Sequence, residues 1–482
     1  MSSILTTDGY KLSMAEAGYP LRRETFYYTH RRGGPQVWPI DTERAVRALV
    51  PGEGERQYEA LARLGYPMGE GFRAAMDGGA SQLTVTSIPA WAWFLPGEPV
   101  FSITGPSALV SWLEPQLLMW SFRSQVATLA LTDRAALSAA VRTVSCEREA
   151  EIVREVLDSI DEPAPPMDVR AGEYRDAART RAAALVAALG SGDRVFEVGL
   201  RAATCVDQHR LALEGCREAG VRRTSHVGLA GDLGMIAVGT MGHEHVQRFG
   251  SDEAAYRAMK ERRPQRSSFL LDTFDTLRSG LPAALRVMAD DPGAGDSIRY
   301  DSGDKELQLR TAVARAREVG LDPVHILEDG FDLPLTERFE KVRKELGLSP
   351  ERVFYGYGGH LVSRGTLTRD RVAAVYKLSQ SGTSPVMKFS DDGSKRSVPG
   401  HPVVLRRLRG EGPGGIIGQR GEPIPEGYEL ASGAVGTAAT AAKERPKDER
   451  VALSAASSEL VARCEARRNE IVPDIRRSQE VS

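Results

Sequence analysis

Four short segments of the sequence place acidic, basic or histidine side chains at the end of a short apolar run. They are Gly239-Thr240-Met241-Gly242-His243, Asp272-Thr273-Phe274-Asp275-Thr276, Arg299-Tyr300-Asp301-Ser302-Gly303-Asp304 and Glu328-Asp329-Gly330. A helical pattern follows each segment. Barrel enzymes place their chemistry at the carboxyl ends of consecutive parallel strands. Aspartates, glycine turns, one histidine and one arginine gathered there suit a phosphorylated, metal-bound substrate, so we predict an enzyme.

The segment around Asp301 has the composition of a phosphate and metal site. Gly303 lets the backbone turn close to a ligand, and Ser302 can cap the following helix, whose free N–H groups attract phosphate. Asp301 can hold Mg²⁺ or a ribose hydroxyl. Arg299 shares its strand face and can bind a carboxylate or phosphate through two hydrogen bonds. The alternative is an ordinary helix cap with a surface ion pair.

His243 is a candidate for chemistry near neutral pH, because an unperturbed imidazole has a pKa of about 6.5. A packed or exposed structural histidine is the alternative, and His243-Glu244-His245 lacks the spacing of metal ligands on one helix face. Asp272 is a further candidate, with helix capping as its alternative. Tyr10 can stack on a flat ring or be a partly buried tyrosine.

A basic group near the carboxyl end suits a polyphosphate. It consists of Lys388, Lys395 and Arg396. Exposure to solvent is the alternative.

Composition excludes several classes of protein. The 482 residues are 41% hydrophobic and 27% charged, with a formal net charge of −2, so no global field points to nucleic acid or an anionic membrane. No apolar run reaches the roughly 18–20 residues that cross a bilayer, and we expect no signal peptide. The cysteines, at 146, 205, 216 and 464, form no Cys-x-x-Cys pair. We therefore expect four inert thiols, no zinc site and a cytoplasmic location.

The order of elements favours an α/β fold. Strands are predicted to begin near Val195, Thr224, Ile236, Ser268, Ser297, Val324 and Val353, with helices at 204–219, 304–319 and 336–346. A spacing of about 30 residues matches one strand plus a crossover helix. An open doubly wound sheet would give the same pattern, although no Gly-x-Gly-x-x-Gly follows the first strand. Residues 1–125 mix β-like and helical stretches, and residues 455–472 predict an exposed amphipathic helix.

Taken together, these segments resemble the motifs of the nicotinate phosphoribosyltransferase family, within the type II phosphoribosyltransferases. The similar segments run from Thr7-Asp8-Gly9-Tyr10-Lys11 through Val198-Gly199-Leu200-Arg201, Gly239–His243, Leu271–Thr276 and Ile298–Asp304 to Lys395-Arg396-Ser397-Val398-Pro399-Gly400. The resemblance covers more than four fifths of the chain.

The resemblance implies an irregular (β/α) barrel beside a second, smaller α/β domain built from the N- and C-terminal segments. We accordingly divide the chain into an N-terminal α/β domain (1–150), a barrel domain (151–375) and a C-terminal segment (376–482) that returns to the first domain and ends in a helix. A homodimer is implied, with Mg²⁺ as cofactor and ATP as co-substrate.

The resemblance also implies roles for single residues. His243 would be phosphorylated by ATP, Tyr10 would stack on the pyridine ring from a neighbouring subunit, and Asp301 would hold the ribose and the metal. Arg299 completes the catalytic set. The implied substrate-binding residues are Tyr10, Arg201, Asp232, Thr240, Asp272, Asp329, Gly330, Gly358 and Gly359, and the implied phosphate-binding residues are Arg31, Lys388, Lys395 and Arg396.

Two departures from the family bear on the substrate. Gly359 stands where nicotinate enzymes carry threonine, and Ala230-Gly231-Asp232-Leu233 is taken to replace a Gly-Thr-Ser-Asn segment. The carboxylate of Asp232 would accept the NH₂ of an amide and repel a carboxylate. The hypothesis is transfer of phosphoribose from 5-phosphoribosyl-1-pyrophosphate to nicotinate, coupled to ATP hydrolysis. Two alternatives remain open: a phosphoribosyltransferase for nicotinamide or another base, and a non-catalytic phosphoribosyl-binding homologue.

Overall fold

The computed structural model describes residues 3–52, 54–389, 396–431, 437 and 445–472. Its helices are α1 (Gly9–Ala17), α2 (Thr42–Leu49), α3 (Glu55–Arg63), α4 (Glu70–Asp77), α5 (Ser107–Trp112), α6 (Glu114–Thr132), α7 (Arg134–Val141), α8 (Glu147–Asp158), α9 (Ala171–Leu189), α10 (Val206–Glu218), α11 (Val227–Leu233), α12 (His243–Phe249), α13 (Asp252–Arg262), α14 (Leu281–Asp290), α15 (Lys305–Glu318), α16 (Leu333–Glu345), α17 (Gly359–Val362), α18 (Arg369–Val372) and α19 (Ala455–Ile471). Within the described residues, no helix is both long and apolar enough to cross a membrane.

A seven-stranded parallel sheet forms the frame of the structure. Its strands are β8 (Val195–Glu197), β9 (Arg223–Thr224), β10 (Ile236–Ala237), β11 (Ser268–Leu270), β12 (Ser297–Tyr300), β13 (Val324–Leu327) and β14 (Val353–Tyr357). The spatial order is β10-β9-β8-β14-β13-β12-β11. β14, the last of these strands along the chain, therefore pairs with β8, the first along the chain. A barrel has this order, whereas an open doubly wound sheet does not. The sheet is therefore a curled, partly closed barrel, and the mixed α/β class is confirmed.

Antiparallel strands from both chain ends form a separate five-stranded sheet. It contains β1 (Arg23–His30), β3 (Thr84–Ser87), β5 (Phe101–Pro106), β15 (Ala374–Ser381) and β16 (Ser384–Pro385), in the order β16-β15-β1-β5-β3. Residues Glu24 to His30 of β1 pair with β15. The paired residues are at least 344 positions apart in the chain, and His30, for example, pairs with Ala374. This pairing brings the segment after residue 374 against the N-terminal part.

A four-stranded sheet follows near the carboxyl end, and two small sheets complete the fold. The first contains β17 (Pro402–Arg407), β18 (Gly415–Gln419), β19 (Tyr428–Leu430) and β20 (Val451–Leu453). The small sheets pair β2 (Gln36–Trp38) with β4 (Ala92–Phe94), and β6 (Thr143–Val144) with β7 (Asp168–Val169). The predicted terminal helix is α19, but one side of it is packed, because Ser457 and Cys464 are buried.

The apolar core is divided into clusters that follow the sheets. One surrounds the parallel strands, and another packs β1, β5 and β15 against α5 and α6. Three histidines, His30, His245 and His325, are enclosed by this packing, and burial lowers the pKa of each to about 3. Each therefore stays neutral in the folded chain at ordinary pH.

Candidate active site

His243 lies at the centre of a polar cluster at the carboxyl ends of the parallel strands. Its Nε2 atom is 2.6 Å from Nζ of Lys388 and 3.4 Å from Oδ2 of Asp301, and its Nδ1 atom is 3.2 Å from Oγ1 of Thr273. A lysine ammonium can only donate, so Nε2 accepts and Nδ1 carries the ring proton towards Thr273. His243 is thus a neutral imidazole with Nε2 directed at the cluster.

Electrostatics keep this ring neutral and its carboxylate neighbour ionised. Burial lowers the pKa of His243, the charge of Lys388 lowers it further, and Asp272 and Asp301 act in the opposite direction. Burial alone would raise the pKa of Asp301, but the neighbouring His243 ring and the charges of Arg299 and Lys388 hold it well below its usual value. A neutral nitrogen base and a carboxylate therefore stand side by side near neutral pH.

The turn after β11 delivers Asp272 to the cluster. Asp275 is the residue that caps, because its Oδ1 accepts the N–H groups of Leu277 and Arg278. Asp272 is free of that role and accepts a hydrogen bond from Ser302. Its Oδ1 lies 3.6 Å from Nε2 of His243. Ser302 accordingly does not cap α15; the side chain of Asp304 does so instead.

Arg299 connects the cluster to a neighbouring cavity. Its Nη1 donates a 2.5 Å hydrogen bond to Oγ1 of Thr240, and its guanidinium lies 3.6 Å from Asp301 and 3.7 Å from Glu328. Burial raises the pKa of Glu328. Arg299 is about nine-tenths buried, so its charge acts in surroundings that screen it little.

The two cavities share Tyr10, Arg201 and Arg299. The first, of about 100 Å³, is also lined by His243, Lys388, Asp301, Glu114 and Lys377. The second, of about 30 Å³, is also lined by Asp8, Phe196, Ser225, Thr240 and Glu328. The shared residues show that the cavities adjoin, which gives a polar chamber beside a smaller pocket with aromatic walls.

The smaller pocket contains an aromatic ring and a guanidinium beside a carboxylate. Nε of Arg201 is 3.2 Å from Oδ2 of Asp8, and its guanidinium is 5.2 Å from the ring centroid of Tyr10. Ser225 donates a 2.5 Å hydrogen bond to the other oxygen of Asp8. The Tyr10 hydroxyl donates to Glu114 over 2.6 Å. Burial alone would raise the pKa of Glu114, but the charges of Lys11 and Arg201 lower it to about 2.

Four buried polar atoms around the two cavities make no hydrogen bond within the described residues. They are Oδ2 of Asp8, Oδ1 of Asp272, Nε of Arg201 and Nε of Arg299. Buried polar groups are normally paired. Two of these atoms are guanidinium donors and two are carboxylate acceptors, and Nε of Arg201 lies 3.2 Å from Oδ2 of Asp8. The cavities therefore offer both charges to a polar ligand.

Buried ion pairs fix the helix that begins with His243. On α12, Arg248 makes a two-point ion pair with Glu24 of β1, at 2.8 and 2.9 Å. Glu244 accepts a 3.0 Å hydrogen bond from Lys11 of α1. The antiparallel sheet and the first helix therefore hold His243 in position.

Several predicted residues lie apart from the cluster. Asp232 is exposed, forms an ion pair with Arg210 and lines neither cavity, so the structure gives its predicted contact with the substrate no support. Arg396 is also exposed and pairs with Glu465 of α19. Lys395 lies outside the described residues.

Five other predicted residues lie near the same rim without lining either cavity. Asp329 and Gly330 are exposed just after β13, Gly358 and Gly359 follow β14, and Arg31 follows β1. A Cβ atom at Gly359 would lie 2.4 Å from Oδ2 of Asp370. A threonine at that position would require Asp370 to move.

Tyr10 lines both cavities of its own chain. The resemblance implies a tyrosine that reaches in from a neighbouring subunit, and that expectation stays a prediction. Gly9, the residue before it, packs so closely that a Cβ atom would lie 2.4 Å from the backbone oxygen of Val238. The bridge between Asp8 and His226 fixes the same segment.

Among the lining residues that the sequence did not predict are Ser225, Glu114 and Lys377. Ser225 follows β9, at a strand end like the other candidates, and Thr224-Ser225 repeats the centre of the Gly-Thr-Ser-Asn segment that was assigned to Ala230–Leu233. Glu114 and Lys377 come from α6 and β15, which no local pattern connects to the barrel. Burial and the neighbouring charge of Lys388 lower the pKa of Lys377 to about 7.

The donor set suits a magnesium ion bound through carboxylates. The side chains of His243, Asp272 and Asp301 offer ligand atoms that lie within 4.8 Å of one another. Lys388 occupies the lone pair of His243, which leaves the two carboxylates as donors. Mg²⁺ takes one or two carboxylates and completes its shell with water and substrate phosphates.

Several known proteins are similar to this chain in sequence or in fold. No family model matches the chain. Over 249 residues it is 30% identical to a nicotinate phosphoribosyltransferase of Mycobacterium tuberculosis, covering 50% of this chain and 51% of that protein. Over 410 residues it is 25% identical to the human nicotinate phosphoribosyltransferase, covering 73% of this chain and 63% of that protein. The chain is thus similar in sequence to several nicotinate phosphoribosyltransferases.

The chain spans about half the length of the bacterial relatives it matches; for the Bacillus subtilis nicotinate phosphoribosyltransferase, at 29% identity, the share is 47%. Solved structures extend the likeness of the fold. The nicotinate phosphoribosyltransferase of Porphyromonas gingivalis superposes with a TM-score of 0.59 at 20% identity, over 82% of this chain and 96% of that one. That of Vibrio cholerae gives 0.58 at 17% identity, over 82% and 90%.

Proposed function

We propose that the chain is a nicotinate phosphoribosyltransferase of NAD biosynthesis. It transfers phosphoribose from 5-phosphoribosyl-1-pyrophosphate to nicotinate, forming nicotinate mononucleotide and pyrophosphate, with coupled hydrolysis of ATP. The observation that carries the proposal is the neutral His243 imidazole held by Lys388 between Asp272 and Asp301, beside a pocket with an aromatic ring and two guanidinium groups.

In this proposal Nε2 of His243 attacks the γ-phosphorus of ATP. The N–P bond forms as the bond to the β-phosphate oxygen breaks, and ADP leaves. Thr273 holds the Nδ1 proton and fixes the tautomer. Lys388 releases Nε2 and then pairs with the new phosphoryl oxygens, as lysine does at phosphate groups.

Transfer of the sugar requires stabilisation of a cation and of a leaving anion. As the bond from ribose C1 to pyrophosphate breaks, the carboxylate of Asp301 stabilises the positive sugar. Lys388 and Lys377 line the same chamber and can bind the departing pyrophosphate. Mg²⁺ on Asp272 and Asp301 would supply further neutralisation of that charge. The ring nitrogen of the base then captures C1.

The smaller pocket favours a pyridine with a carboxylate. Tyr10 offers an aromatic face, and Nε of Arg299 is a buried donor without a hydrogen-bond partner in the described residues. Arg201 lines the same pocket in an ion pair with Asp8. Guanidinium groups bind carboxylates at two points. Asp232 is exposed, pairs with Arg210 and lines neither cavity, so its charge gives no reason to reject nicotinate. Nicotinamide is the second candidate, since the carboxylate of Asp8 can accept an amide N–H.

Product identification tests the reaction. Purified protein is incubated with 5-phosphoribosyl-1-pyrophosphate and nicotinate or nicotinamide, with and without ATP, and products are identified by mass spectrometry. Nicotinate mononucleotide formed faster with ATP is expected. Nicotinamide mononucleotide alone would support the second candidate, and no pyrophosphate with either base would support a non-catalytic binding protein.

A labelling experiment tests His243 separately. With ATP labelled at the γ-phosphate, wild-type protein should gain acid-labile label and His243→Asn should gain none. Undiminished label on the variant would reject the role of His243. Arg299→Ala should lose most of its kcat/KM, and an unchanged value would remove Arg299 from the site.

The architecture and assembly belong to the same proposal. The antiparallel sheets built from both chain ends would form a second, smaller domain beside the barrel. We further propose that the enzyme works as a homodimer in the cytoplasm, with each chain completing its own site.

A further inference from the structure

Two cysteines that take no part in the proposed reaction lie against each other. Cys146 directly precedes α8 and Cys205 directly precedes α10, and their Sγ atoms are 3.5 Å apart although 59 positions separate them in the chain. The sequence suggested four separate inert thiols. Cys464, by contrast, has its Sγ 3.6 Å from the backbone oxygen of Pro385.

A buried polar network fixes the distance between the two thiols. Glu149 of α8 accepts hydrogen bonds from the backbone N–H of Ser145, the hydroxyl of Thr204 and the amide of Gln208, at 2.5, 2.5 and 3.0 Å. These donors flank both cysteines. The starts of α8 and α10 therefore cannot separate without exposing a buried carboxylate, and the thiols stay in contact.

The two thiols differ in their ease of ionisation. A hydrogen bond from Cys146 lowers the pKa of Cys205, burial opposes this, and the backbone N–H of Gln208 adds to the lowering. The same hydrogen bond raises the pKa of Cys146, and burial raises it further. The sulfur of Cys205 accepts the backbone N–H of Gln208 at the start of α10, a contact that supports a thiolate, so we take Cys205 as the nucleophile of the pair.

We propose that Cys146 and Cys205 form an oxidisable dithiol that takes a peroxide-class oxidant and closes into a reversible disulfide. The thiolate of Cys205 attacks one peroxide oxygen, which breaks the O–O bond, gives a sulfenic acid and releases water. The sulfur of Cys146 then attacks the sulfenic sulfur, the S–S bond forms and a second water leaves. In total two thiols and one hydrogen peroxide give one disulfide and two waters.

The two thiols are buried but lie close to a cavity. This cavity, of about 210 Å³, is lined by Ser145 and Thr204, which directly precede Cys146 and Cys205 in the chain, although the cysteines themselves do not line it. This volume admits molecules of the size of water or hydrogen peroxide. Closure to an S–S bond of about 2.05 Å requires a movement of about 1.5 Å, which side-chain rotation can supply. A dithiol reductant reverses the reaction by exchange.

The test counts thiols in the native protein. Folded wild-type chain is titrated with hydrogen peroxide, denatured, alkylated with N-ethylmaleimide and weighed. The reduced protein should carry four adducts and the oxidised protein two, since all four cysteines are free in the structure. Peptide mapping should show one linked pair, Cys146 with Cys205, and dithiothreitol should restore four adducts.

Other results would overturn the proposal. These are four adducts at every peroxide concentration, a link to Cys216 or Cys464, or only sulfinic and sulfonic acids on unlinked peptides. Two serine variants test the order of attack and leave the proposed active site untouched. Cys146→Ser should accumulate a sulfenic acid on Cys205 that dimedone traps. Cys205→Ser should give no dimedone adduct on Cys146 at the same peroxide concentration, and equal trapping in both variants would refute the assignment of Cys205 as nucleophile.

Discussion

Replacing Lys388 with methionine removes a positive charge that lies 2.6 Å from Nε2 of His243 and keeps a chain of similar length. That charge disfavours the imidazolium, so the pKa of His243 should rise. The centre of the ring charge is farther from the ammonium than Nε2 is. Two unit charges about 4 Å apart interact by about 4 kcal/mol at an effective dielectric constant of about 20.

An interaction of about 4 kcal/mol corresponds to about three pKa units, because one unit is about 1.36 kcal/mol. Water that enters the enlarged cavity will screen the ring from the remaining carboxylates and reduce the change. We therefore expect the pKa of His243 to rise by about one to three units in Lys388→Met. The direction follows from the sign of the charge alone.

The measurement is a titration of histidine side chains by NMR with ¹⁵N-labelled histidine. The chain has eight histidines, and His243→Asn identifies the signal by its loss. Lys377→Met is the matched control, because Lys377 lines the same cavity without bonding to His243; its shift should be less than half as large. A pKa of His243 that is unchanged or lower in Lys388→Met would refute the electrostatic argument.

Replacing Arg248 with methionine leaves Glu24 as an unpaired buried charge and should lower the free energy of unfolding by about 3–5 kcal/mol in urea titrations; the double variant Glu24→Leu/Arg248→Met should regain most of it. His30, His245 and His325 keep pKa values near 3 in the folded chain, so the free energy of unfolding should fall as pH drops below about 6.5, by about 1.4 kcal/mol per pH unit for each. His325→Gln should reduce that pH dependence by the contribution of one histidine, about 1.4 kcal/mol per pH unit. An unchanged pH dependence would contradict the low pKa of His325. Mixing Tyr10→Ala with His243→Asn should restore no activity, because one chain supplies both residues; recovery would show that sites are shared between chains.

The barrel could be predicted from sequence because its information is local. Most of the parallel strands lie in short apolar runs, β12 and β13 are followed by glycine and an acidic residue, and the seven predicted strand starts lie within one residue of those observed. The curling of the sheet into a partly closed barrel could not be predicted from local sequence. What distinguishes this sheet from an open doubly wound sheet is the pairing of β14 with β8, two strands that are far apart in the chain.

The residues of the site that could be predicted lie at or just after the ends of parallel strands, although Asp329 and Gly358 occupy such positions without lining a cavity. Asp272, Arg299 and Asp301 were found by this rule, and Ser225 obeys it but was overlooked in favour of Asp232. Lys377 and Glu114 could not be found in this way. They reach the cavity because β15 pairs with β1 and α6 packs beneath that sheet, which are contacts between distant segments.

The ammonium group of Lys388 explains how the proposed site could differ between the neutral and the phosphorylated form of His243. While His243 is neutral, Lys388 donates to its lone pair and lies 3.9 Å from both Asp272 and Asp301. A phosphoryl group on Nε2 would add about −1.5 to −2 charges at the same point. The two carboxylates would then face a third anion, and Lys388 and Arg299 would be drawn to it. Binding of a cation such as Mg²⁺ between the three anions would become more favourable, so phosphorylation prepares the site for a second polyphosphate. Hydrolysis of the phosphohistidine would remove that attraction and release pyrophosphate. ATP hydrolysis would in this way drive the cycle towards product release.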